Sequence, residues 1–181
     1  MRVLFPIATL LATAVSLSAQ NPSAVDSVYT PHYRLPNGRE IVVQFIGMTG
    51  CGHSRDSEVV AAVRRMKPVL ARQADSLGVS LSVVGVALDW SVEDGVAYLR
   101  TLGPFDEIAV GNNWVNSAAV ASIWRAPSVH PDVPQIVIYQ RTVTRQQRTI
   151  AFGPDQELAR FIGTKSIIDW VAHGAPLPLG H

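Results

Sequence analysis

The chain has 181 residues, 48% of them apolar, which suits one domain with a substantial core and argues against two full ones. Its 15 Lys and Arg nearly balance 14 Asp and Glu, and no basic run is interleaved with aromatics, so nucleic acid is a poor fit as partner. With a single cysteine, Cys51, no internal disulfide can staple the fold, and core packing must carry its stability.

In chain order, residues 1–19 read as an export signal. Arg2 supplies the positive end, Val3 to Val15 the apolar stretch, and Ser16, Ser18 and Ala19 the small residues at its end. The stretch falls short of the ~20 apolar residues that cross a bilayer, so the expectation is an exported chain, periplasmic or secreted, with no stable membrane insertion after signal removal. Residues 20–28 read as a flexible lead-in, 29–176 as one domain and 177–181 as a tail.

Tyr33-Arg34-Leu35 and the turn-like Pro36-Asn37-Gly38-Arg39 suggest a short strand and a tight connection. Ile41 to Ile46 is nearly continuous in β-branched and apolar residues, the pattern of a strand covered on both faces. From Ser54 onward Val59, Val63, Met66, Leu70, Ala74 and Leu77 recur at intervals of three and four, which predicts a helix that Pro68 kinks or splits and Gly78 ends. Val79 to Leu88 reads as a second buried strand. Ser91 with Asp94 predicts the N-terminus of a helix running to about Leu102.

Ile108 to Val110 predicts a short strand, and Ala118 to Trp124 a short helix after the polar loop Gly111-Asn112-Asn113. Pro127 to Asp132 reads as loop and Gln135 to Tyr139 as strand. A polar turn from Arg141 to Arg148 then joins it to Thr149–Phe152 as a hairpin, and a last helix covers Lys165 to His173. This order describes an α/β fold: a central mixed sheet, parallel first and antiparallel later, flanked by helices. Function in such sheets gathers at the carboxyl ends of strands, where Cys51 is placed.

A thiol at the start of a helix meets unpaired N–H groups and the positive end of the helix dipole, and both favour thiolate. His53 and Arg55 add positive charge there, while Asp56 and Glu58 oppose it. Ser54 reads as a helix cap or a hydroxyl serving the sulfur. Trp114, among Asn112, Asn113 and Asn116, is the tryptophan to test for substrate contact; Trp170 reads as packing. Cys51 and His53 offer too few ligands for a closed metal site, and no glycine loop of the phosphate-cradling kind is present, so no metal or cofactor is expected.

With Cys51-Gly52-His53-Ser54 after the first buried strand and Val133-Pro134 opening a later one, the chain resembles the thioredoxin-like superfamily over roughly Tyr33 to His173. The strand Leu81–Asp89 and the helix after Ser91 look like the inserted strand and helix of its exported branch, which serves disulfide reduction and cytochrome maturation. The resemblance implies that Cys51 is the nucleophile, that His53 occupies a place also histidine in strongly oxidising members, and that Val133 and a cis Pro134 receive an extended substrate. Ser54 stands where the resolving cysteine belongs, and Gly50 where many members have tryptophan.

Thiolate attack on a disulfide is therefore open to Cys51, but release of the mixed disulfide needs an outside thiol. The leading expectation is a monothiol protein that forms mixed disulfides with thiol-containing or disulfide-containing proteins, with a small thiol as resolving agent. A thioredoxin-fold binding or chaperone-like module without catalysis is the alternative. A single-cysteine peroxidase, suggested by Thr49, comes third because Met48-Thr49-Gly50 departs from the peroxidase pattern.

Overall fold

The computed structural model describes residues 28–31, 35–125 and 130–179. The β-branched run forms β1 (Gly38–Gly47), buried from Glu40 to Gly47 on both faces. β2 (Ser80–Ala87) lies parallel to it in an unbroken register from Glu40 opposite Ser80 to Gly47 opposite Ala87. Beyond β2, β3 (Glu107–Ala109) pairs in parallel. On the other side of β1, β4 (Gln135–Gln146) runs antiparallel. Its outer edge takes two partners in succession: β5 (Thr149–Phe152) against Val143–Gln146, and β6 (Gln156–Ile162) against Gln135–Gln140, with a bulge at Ile138/Tyr139. The chain is thus α/β, with a six-stranded mixed sheet flanked by helices.

Alternation along the strands divides the core in two. Ile41, Val43, Phe45, Val83, Ile136 and Ile138 face the larger half, under α1 (Ser57–Leu77), α2 (Val92–Thr101) and α4 (Thr164–Ala172). Val42, Ile46, Val84, Val86 and Val137 face the smaller half, covered by α3 (Ser117–Ala119) and the π-helix Val120–Trp124 that continues it. Each buried Val, Leu or Ile contributes about 1.5–3 kcal/mol, so the larger cluster dominates stability. Trp170, predicted as packing, stacks on Phe161 with ring centroids 4.6 Å apart.

Two helix boundaries follow the sequence signals closely. Ser91 Oγ accepts from Asp94 N–H at 3.1 Å and opens α2. Gly78 ends α1 at φ 63°, a left-handed conformation that costs glycine little, and donates to the Ala74 and Asp75 carbonyls. Of the two outcomes expected at Pro68, the split does not occur: α1 runs through it. Val63, Met66, Leu70 and Ala74 anchor the helix in the core on both sides of the proline. Lys67 adds a further tie, its Nζ donating to the Leu102 and Pro104 carbonyls at 2.9 and 2.8 Å while resting 3.5 Å from the centre of the Phe105 ring.

One expectation about strands needs correction, and one strand was not expected. The polar stretch read as a turn from Arg141 is strand as far as Gln146, and only the residues up to Thr149 turn. β6 carries only intermediate and exposed residues, and the apolar pattern did not announce it. Tyr33 and Arg34 of the first short strand lie outside the described residues, and Leu35 is not in a strand. Likewise the signal peptide and all of the lead-in except Val28 lie outside them. At the other end Leu177 and Leu179, assigned to the tail, pack against the larger core.

Candidate functional site

The site follows from register. Ile46 lies opposite Gln135, so the chain leaving β1 and the chain entering β4 emerge side by side at one edge of the sheet. This brings Cys51 to Val133, 82 positions away: the thiol donates to the Val133 carbonyl at 3.5 Å. The Val133–Pro134 peptide bond is cis, as the resemblance implies. Cys51 is half-buried as a residue.

Around the sulfur the backbone is not the helix start that the spacing predicts. Cys51 N–H donates to the Met48 carbonyl at 3.3 Å, and a 3-10 turn at His53–Arg55 follows. The Cys51 carbonyl closes that turn by accepting from the Ser54 and Arg55 N–H groups at 3.1 and 3.3 Å. α1 begins only at Ser57, where Asp56 Oδ1 caps it by accepting from Glu58 N–H at 2.8 Å. Asp56, not Cys51, therefore occupies the capping position of α1, where orphan N–H groups collect.

Ser54 is accordingly no helix cap. It is fully buried, and its Oγ has no hydrogen-bond partner among the described residues. Its carbonyl accepts from the Tyr98 hydroxyl at 2.9 Å. His53 is exposed and its ring makes no hydrogen bond or ion pair among the described residues. Trp114 is half-buried in the smaller core, in edge contact with Trp124 at 6.4 Å. It shares that cluster with Met48 and Val133, the residues flanking the thiol from either strand. His130 and Asp132 are exposed on the approach to Pro134.

Four residues that the sequence reading left out hold this geometry. Asp89, just past β2, is buried and its carboxylate accepts from Thr49 N–H at 3.1 Å, which fixes the Cys51 loop. Gln135 is fully buried beside Pro134; its amide donates to the Asp132 carbonyl at 2.7 Å and accepts from Arg160 Nη1 at 2.5 Å, clamping the turn that carries Val133. Tyr98 reaches across from α2 under the loop. Burial raises its hydroxyl pKa, with Asp89 and Cys51 acting in the same direction, so it stays a neutral donor. Gly47 makes room for that hydroxyl: a Cβ there would collide with Tyr98 Oη and sit 3.0 Å from the Phe45 ring. Of the four, Gly47 lay nearest a sequence signal, as the glycine at the end of a continuous apolar strand.

The described residues include no group of three or more His, Cys, Asp or Glu side chains able to hold a metal ion, and no helix long and apolar enough to cross a membrane. What the arrangement offers chemically is the thiol of a half-buried cysteine beside a backbone carbonyl and a cis proline. No family model, curated protein or solved structure matches this chain.

Proposed function

We propose that this is an exported, thioredoxin-like monothiol protein whose Cys51 forms mixed disulfides with thiol-containing or disulfide-containing protein partners. One observation carries the reading: the thiol of the half-buried Cys51 lies 3.5 Å from the carbonyl of Val133, the residue preceding cis Pro134. Two segments far apart in sequence thereby supply a nucleophile and an extended backbone edge to one surface. The order β1, α1, β2 and α2, with β4 and β6 antiparallel, supports the thioredoxin-like assignment. Export rests on Met1 to Ala19.

In the reaction, the Cys51 thiolate attacks one sulfur of a partner disulfide. A bond forms between Cys51 Sγ and that sulfur, the partner's own disulfide breaks, and the electron pair leaves on its second sulfur as thiolate. Ser54 cannot reverse the linkage, since a hydroxyl does not displace a disulfide, so a thiol from solution or from a partner completes the cycle. Val133 and Pro134 receive the partner's backbone, and His53 lies free at the rim.

A second reading, partner binding without redox turnover, draws on Ser54, which is buried where a resolving sulfur would have to emerge. One experiment separates the two. Trapping with an aromatic disulfide gives rapid stoichiometric adducts in the native protein and none in Cys51→Ser. Partner capture that survives Cys51→Ser favours binding alone, and a native thiol no faster than an unstructured peptide thiol rejects the redox reading.

A further inference from the structure

On the face of the sheet away from α1, α2 and α4, a pocket of about 450 Å³ lies between the strands and α3 with its π-helix continuation. Its size falls in the range of about 300–1,000 Å³ typical of small-molecule sites. Register lays out its floor. Glu107 of β3, Val84 of β2 and Gln44 of β1 stand in one row, and Val42 of β1, Tyr139 of β4 and Glu157 of β6 stand in the next on that face. Ala118 and Ala121 line the helical side, where their small side chains leave the space open.

Gln44 is the polar centre of this floor. It is 6% exposed, and its Oε1 accepts from the hydroxyl of Ser122, in the π-helix, at 2.6 Å. Its Nε2 makes no hydrogen bond among the described residues and is not one of their sealed polar atoms, so this amide donor is open to the pocket that Gln44 lines. Val42 and Ile46, its neighbours on the same face, are apolar, and an apolar residue between them would spare the unmatched donor. The rim adds charge. Glu107, Asp155 and Glu157 bring three carboxylates against one guanidinium, Arg141. Arg141 is held by the buried Glu40 at 2.6 Å and Glu157 by Arg160 at 2.6 Å, whereas Asp155 has only Arg141 at 3.8 Å and the exposed Glu107 forms no ion pair among the described residues. The uncompensated charge is therefore negative.

We infer that this pocket binds a small organic cation that carries an oxygen acceptor, an amino alcohol or amino amide, with the ammonium at Glu107 and the oxygen at Gln44 Nε2. Carboxylates favour an ammonium and repel an anion, while a plain alkylammonium ion would leave the buried amide donor unmatched. Glu107 lies two strands from Gln44, about 10 Å between backbones, and both side chains reach into that gap, so a chain of about five carbons spans what remains. Val42, Val84, Ala118 and Ala121 supply apolar walls for such a chain. The inference stands apart from the redox reading, because no residue of the Cys51 loop lines this pocket.

The test titrates the isotope-labelled native protein with 5-amino-1-pentanol, with 1,5-pentanediol, which lacks the charge, and with 5-hydroxypentanoate, which reverses it. The Gln44 side-chain amide and the backbone amides of Val84 and Ala121 are followed by NMR. The amino alcohol should shift these signals saturably, binding about fivefold tighter than the diol and tighter still than the acid, with a preference that shrinks as salt is added. Glu107→Gln, at an exposed position where folding is undisturbed, should erase most of the preference for the amine over the diol. Gln44→Leu should weaken amine and diol alike by about tenfold. Should that variant fail to fold, the three probes and Glu107→Gln decide by themselves. Equal shifts by all three probes, no saturable shift up to about 50 mM, or an undiminished preference in Glu107→Gln would overturn the assignment.

Discussion

The Lys67 contact and the Cys51 loop are two polar regions beneath the same helices, and they treat polar groups in opposite ways. At Lys67 every polar group described has a use: the ammonium holds two carbonyls and an aromatic face, and nearby Asp106 accepts from Val83 N–H at 2.6 Å and from the Tyr29 hydroxyl at 2.5 Å. Around Cys51 two buried hydroxyls, on Thr49 and Ser54, have no partner, and the charges of Arg55 and Asp94 stay unpaired among the described residues. The first arrangement fastens α1 to the chain after α2. The second leaves hydrogen-bonding capacity open beside a nucleophile, which stability alone does not call for.

Substitutions should expose this difference. Lys67→Ala removes a buried stem and strands two interior carbonyls, so it should cost about 3–5 kcal/mol in urea unfolding. Gly47→Ala drives a methyl against Tyr98 and Phe45 and should cost about 1–3 kcal/mol while loosening the Cys51 loop, read as faster alkylation of the thiol. Ser54→Ala deletes an unsatisfied hydroxyl, and stability should change by no more than about 1 kcal/mol, with a gain the expected direction. A large loss in Ser54→Ala would mean that the hydroxyl is satisfied after all and would erase the contrast.

Acid and base should separate the regions as well. Burial pushes the Lys67 ammonium down from 10.5 to about 7, an effect that Asp106 only partly offsets. Across the window from about 7 to 10.5 the unfolded chain holds a proton that the folded chain has released, so stability rises with pH there. The group's contribution is complete above the upper limit and is lost as pH falls through the lower. Its slope is at most about 1.4 kcal/mol per pH unit. Lys67→Met should lack this component in urea unfolding at several pH values within the window, and an unchanged slope would show that Lys67 stays charged in the folded state.

Much of the scaffold was legible. The continuous apolar run gave β1, the spacing from Val59 to Ala74 gave α1, and Ser91 and Gly78 marked helix ends where the structure has them. β6 was illegible because a half-exposed strand is specified by hydrogen bonds to β4, which leave little trace in side-chain pattern. The far half of β4 was hidden for the same reason. Pro68 does not split α1 because packing on either side of it holds the helix together. At the site, Cys51 and Pro134 could be named, while Asp89, Gln135 and Tyr98 could not: each acts through a hydrogen bond to a residue distant in the chain, Thr49, Arg160 and Ser54 in turn.

The amino-acid order by itself settled which residues are apolar, where α1 stops and α2 starts, and that one thiol stands after the first buried strand, because these are matters of local period and local backbone preference. Tertiary structure alone decided what that thiol faces. Pairing Ile46 with Gln135 brings Val133 to Cys51, and a shift of one residue along β4 would turn its apolar set to the opposite face. Burial against the two halves of the core fixes that register, and through it the surroundings of the sulfur.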